Sequence, residues 1–142
     1  MKHKLDLLEN AIDSLGEALS KYEEGEIKGP SAYKFAVLHF SHFFELLFKH
    51  HVVQSHPLLI YKNPFSKKIK KENTIGLWEA VQFLKNEGVD ISSDFDNDLA
   101  WMKRLRNNIE HHKFELDAIE VRTYLGRLIR ATNELNDYEG LI

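Results

Sequence analysis

The chain of 142 residues contains no cysteine. That excludes disulfides, thiolate catalysis and cysteine-based zinc sites, and it suits a reducing compartment. Proline occurs three times and glycine seven, too sparsely for a low-complexity or loop-built protein. No run approaches the roughly 18 apolar residues of a membrane span. The first residues, Met1-Lys2-His3-Lys4-Leu5-Asp6, lead straight into a charged amphipathic pattern, whereas a secretory signal needs an uninterrupted apolar segment. The expectation is a cytoplasmic protein with no membrane partner. No charge of one sign dominates either. The net charge of −3 argues against a general nucleic-acid-coating protein, which would be strongly basic, but leaves room for a local basic patch.

What is present is apolar periodicity. Leu5, Leu8, Ile12, Leu15 and Leu19 recur at spacings of three and four and predict a first helix from Lys4 to about Tyr22. Glu23 to Gly29 reads as an acidic, glycine-flanked connection. A second helix, Ser31 to Val53, carries Phe40, Phe43, Phe44, Leu47 and Phe48 on a wide arc, so it should be the central buried helix. Its other side carries His39, His42, Glu45 and Lys49. Periodicity lapses from Gln54 to about Asn73, where Leu58-Leu59-Ile60-Tyr61 fits a short strand or a packed loop and Lys67 to Lys71 is the densest positive charge. Thr74 is placed to cap a third helix, Ile75 to Lys85. Ser92 or Ser93 caps a fourth, with a stripe of Phe95, Leu99, Met102, Leu105 and Ile109 and an end near His111 or His112. A fifth runs from Asp117 to about Asn136 on Ile119, Tyr124, Leu128, Ile129 and Leu135. With no internal repeat, residues 1–142 read as one all-α domain, an antiparallel bundle of about five helices.

The chemistry concentrates in Arg106-Asn107-Asn108-Ile109-Glu110-His111. Arginine is permanently charged and forks onto phosphate oxygens, while histidine changes charge near neutral pH. Together they are a minimal apparatus for cleaving a phosphodiester without a metal. Residues four apart on a helix are neighbours, whereas residues five apart diverge by about 140°. Asn107 and His111 therefore share a face, and Arg106 and His111 do not unless the helix breaks or a second subunit intervenes. The plain alternative is a helix whose arginine pairs with an acid and whose histidines sit at a favourable C-terminus. His39, His42 and Glu45 invite a metal reading, but a carboxylate-bridged di-metal bundle wants Glu-x-x-His on two helices, and this chain has none. No metal or cofactor is expected. His42 and Glu45 are instead either a half-buried polar seam or the wall of a cleft or dimer surface facing the motif.

The Arg106-to-His111 tract, with Asn107 directly after the arginine, resembles the Arg-x(4–6)-His signature of the HEPN superfamily. The likeness extends to the hydrophobic second helix with Glu45, the segment Thr74-Ile75-Gly76-Leu77-Trp78-Glu79-Ala80 before the motif helix, and a last helix after a short loop. The resemblance implies a HEPN-like bundle whose protomers pair so that their motifs face each other across a composite cleft. It implies a metal-independent endoribonuclease, many such proteins being toxins or antiviral effectors, with a separately encoded antitoxin such as a minimal nucleotidyltransferase as partner. Residue by residue, His111 would move the proton, with His112 as the alternative, Arg106 would hold the phosphate, and Asn107 would orient His111. Lys103, Arg104 and Lys113 would contact RNA. Other members are non-catalytic dimerisation or adaptor modules, which is the alternative function.

Overall fold

A computed structural model describes residues 3–29, 31–69, 73–111 and 117–139. Among these residues there are five α-helices and no strand: α1 (His3–Lys28), α2 (Ser31–Ser55), α3 (Leu77–Asn86), α4 (Ser93–His111) and α5 (Ala118–Glu139). A short 3₁₀ turn spans Pro57–Ile60. No helix of the described residues is long and apolar enough to cross a membrane.

The second helix is the axis of the molecule. It packs against α1 along its length and also touches α3, α4, α5 and the 3₁₀ turn. The aromatic arc explains this, because Phe40, Phe43, Phe44, Leu47 and Phe48 are all buried. Phe95 of α4 closes edge-on against Phe44, with ring centroids 6.1 Å apart, the geometry that places one ring's positive edge on the other's negative face. Leu99 and Met102 extend the contact along α4, and Val121, Leu125 and Leu128 bring in α5.

The structure departs from the sequence expectation in several places. The first helix does not end near Tyr22 but continues through Glu23–Lys28. Gly25, which looks like a turn residue, is buried inside the helix because Tyr33 of α2 lies against it. A Cβ there would stand 2.7 Å from the Tyr33 ring, so glycine is required for close approach rather than for bending. Glu26 holds the extension from outside through a two-pronged pair with Arg122 of α5. Gly29, at φ +120°, turns the chain into α2.

The third helix starts two residues later than expected and is not capped by Thr74. Gly76 precedes it, and the Glu79 carboxylate reaches back to the Gly76 N–H at 3.4 Å. The Thr74 hydroxyl is engaged elsewhere, accepting from Lys49 Nζ at 2.9 Å. Leu58 to Ile60 form the 3₁₀ turn, and only Tyr61 is bridged, to Thr74. In α5, Ile119 faces solvent at 72% exposure, and the buried face is Val121, Leu125 and Leu128. The fourth helix starts as its sequence suggests, with Ser92 Oγ accepting from the Phe95 N–H at 3.1 Å.

Candidate functional site

The motif occupies the last turns of α4, which remains helical through His111. With no break in the helix, positions 106 and 111 lie about 140° apart around its axis. The side chain of His111 lies outside the described residues, as do His112 and Lys113 entirely. Asn107 is exposed.

Arg106 faces a cleft of about 220 Å³ between α2 and α4, lined by Leu38, His42, Glu45, Arg106 and Glu110. The polar side of α2 and the motif arginine therefore share one depression. Its electrostatics are finely balanced. Arg106 Nε lies 3.3 Å from Glu110 Oε1, with the guanidinium side chain 39% exposed. Glu45 is taken by Lys49, 3.3 Å away. An exposed i,i+4 pair of this kind contributes about 0.3–0.5 kcal/mol. Glu110 therefore restrains Arg106 only weakly.

Lys103 and Arg104 do not join this cleft. Lys103 turns toward α3, where Nζ lies 5.4 Å from the centre of the Trp78 ring. Arg104 lines a different depression of about 310 Å³ between α4 and α5, with Trp101, Asn108, Asp117 and Glu120. At about 100° per residue, Arg104 and Arg106 leave the helix nearly opposite one another. Among the described residues, Arg106 is the cation that lines the cleft beside His42 and Glu45, and Arg104 lines the other depression. Among the described residues no group of three or more His, Cys, Asp or Glu side chains is placed to hold a metal ion.

No family model, characterised protein or solved structure matches the chain. What the site can do must come from its own residues.

One polar feature leaves little trace in the sequence. Asp98 of α4 is only 2% exposed, and its Oδ1 lies 3.0 Å from Arg127 Nη2 of α5 as an ion pair without hydrogen-bond alignment. Arg127 in turn covers the Tyr124 ring at 5.2 Å. Tyr124 stacks on Trp101 at 4.4 Å and 10°, and the Trp101 indole N–H donates to Glu120 at 2.8 Å. This chain of contacts fastens α5 to α4 and so fixes the helix that carries the motif. The signal for it is slight: Tyr124 and Arg127 stand three apart, and Asp98 sits one residue from the apolar stripe.

Burial pushes the Asp98 carboxyl above its ordinary value of 3.8, Arg127 opposes the shift, and Asp94 adds to it. The folded protein therefore holds this proton more tightly than the unfolded chain does. The stability contributed by Asp98 is complete below about pH 3.8 and declines as pH rises through the raised folded value. Asp98→Asn should flatten that decline in urea denaturation between pH 4 and 7. A variant whose stability differs from wild type by the same amount at every pH would contradict this.

Proposed function

We propose that the protein is a metal-independent endoribonuclease of the HEPN type, acting as a homodimer with Arg106 and His111 supplied to one phosphate from two subunits. The observation that carries this reading is the cleft beside His42 and Glu45 into which Arg106 opens, on a helix that runs unbroken through His111. A guanidinium paired, among the described residues, with an exposed glutamate is available to a phosphate.

His111 takes the proton of a ribose 2′-hydroxyl as that oxygen attacks the adjacent phosphorus, or returns one to the departing 5′-oxygen. Arg106 binds the non-bridging oxygens and offsets the charge that builds on them. Asn107, one turn before His111, orients the imidazole. The products are a 2′,3′-cyclic phosphate and a 5′-hydroxyl, with no water consumed in the step. In the cell such an activity belongs to a toxin or antiviral effector, restrained by a separately encoded antitoxin such as a minimal nucleotidyltransferase.

A second reading is favoured by the Arg106–Glu110 pair. A guanidinium already matched by a carboxylate one turn away is what a non-catalytic dimerisation or adaptor module would also carry. End-labelled RNA incubated with purified protein in EDTA separates the two. The nuclease leaves cyclic phosphate ends and fails on a strand with 2′-deoxyribose at the cleavage position. An intact RNA, or a deoxy strand cut equally well, removes the nuclease reading.

A further inference from the structure

The most exposed large apolar side chain in the described residues is Phe65, 93% accessible to solvent. It does not dangle from a loose segment. Asn63 Oδ1 accepts from the Phe65 N–H at 3.2 Å, the Ser66 N–H donates to the Asn63 carbonyl at 3.2 Å, and Ser66 Oγ accepts from the Lys68 N–H at 3.1 Å. These bonds build a compact turn that presents the ring outward. The base of the loop is closed by Lys62 N–H to the Asn73 carbonyl at 2.9 Å and Ile75 N–H to the Ile60 carbonyl at 2.7 Å.

Charge is segregated onto the same loop. Residues 62–72 hold five lysines and one glutamate, +4 in a chain of net −3, so the remainder is at −7. Lys62, Lys67 and Lys68 flank Phe65 and are exposed. The loop is also coupled to the Arg106 cleft. Lys49, buried in α2, donates to Thr74 at the loop base and pairs with Glu45, which lines the cleft. An outward ring with cations around it, on a mostly acidic protein and hung one side chain from the Arg106 cleft, is matched to a polyanion that carries flat rings.

We infer that the Lys62–Lys68 turn is a docking element for single-stranded RNA, in which Phe65 stacks on an unpaired base while Lys62, Lys67 and Lys68 take the neighbouring phosphates. The inference rests on the ribonuclease reading for the identity of the strand and adds where the substrate is gripped outside the cleft. Stacking of this kind is tolerant of sequence because every base has a face to offer.

The test uses a short labelled single strand of DNA, which keeps bases and phosphates but lacks the 2′-hydroxyl, so that binding is read apart from cleavage. Phe65→Ala should weaken binding by on the order of tenfold, the scale of removing one base–aromatic stack, while Phe65→Tyr binds as wild type does. Lys67→Glu with Lys68→Glu should weaken binding and make the salt dependence shallower by about 0.7 for each phosphate no longer neutralised. All variants should melt with wild type, since these side chains are exposed. Wild-type affinity in Phe65→Ala overturns the inference. So does wild type that ignores the strand but sediments with phosphatidylserine vesicles in a Phe65-dependent way, which would make the loop a lipid contact. A protein that cuts RNA but binds strands independently of Phe65 defeats the loop alone. One that binds strands through Phe65 but never cuts RNA defeats the nuclease reading alone.

Discussion

Arg106→Ala and His111→Ala should each reduce RNA cleavage by two to four orders of magnitude while leaving the fold intact. For His111 the scale is that of general acid–base catalysis, about 10²–10⁴-fold. For Arg106 it is the loss of one preorganised charge stabiliser at the transition state, about 10²–10³-fold. For Arg106 the loss would not come from unfolding. Arg106 is 39% exposed and its ion-pair partner, Glu110, is also at the surface, so its removal costs at most about 1 kcal/mol of stability. Arg106→Lys should recover little, because an ammonium keeps the charge and loses the planar fork that grips two oxygens together. The double variant should be scarcely worse than the weaker single one, since groups that act as a unit are strongly non-additive. Initial rates on one labelled RNA, with thermal melts run alongside, check all of these. Wild-type rates in either single variant would contradict the assigned roles.

Phe44→Ala carries the largest expected effect on stability. Phe44 is fully buried and meets three aromatic neighbours, with ring centroids at 5.0 Å to Phe43, 6.4 Å to Phe48 and 6.1 Å to Phe95. It joins the central helix to the motif helix. Truncation removes the transfer free energy of the ring and leaves a void its neighbours fill only in part, about 3–5 kcal/mol. Domains of this kind have about 5–15 kcal/mol in total, so the variant should sit near its unfolding midpoint under mild denaturant. Chemical denaturation gives the value directly. A loss below about 1 kcal/mol would mean that α2 and α4 are not held together by this cluster.

The central helix is legible in the sequence because nearly its whole circumference is apolar, and only burial on several sides accommodates such a helix. The amphipathic stripes of the other helices give their existence but not always their ends or faces. Gly25 reads as a break because glycine signals one locally. Its actual role, making room for the Tyr33 ring, depends on a residue of another helix. Thr74 reads as a cap because local chemistry favours it, yet a buried lysine from 25 residues earlier claims its hydroxyl. Hydrophobicity alone places Ile119 in the core, and the phase of α5 set by Val121, Leu125 and Leu128 leaves it outside. The motif is legible in composition and spacing, and so is the divergence of Arg106 from His111. The placement of Arg104 opposite Arg106 follows from helix geometry as well; invisible in the sequence are the Trp78 ring that Lys103 meets and the Asp98–Arg127 tie that braces the helix. Both depend on which helices flank α4, which no local pattern records.

The composite site is tested most directly by mixing. Arg106→Ala and His111→Ala proteins, each inactive alone, are combined in equal amounts, exchanged by mild denaturation and refolding, and assayed on labelled RNA. If one subunit supplies the arginine and its partner the histidine, half the dimers are mixed. Each mixed dimer keeps one complete Arg–His combination out of two, so activity should return to roughly a quarter of wild type. No recovery, in a mixture shown by mass to contain mixed dimers, would contradict a site shared between subunits.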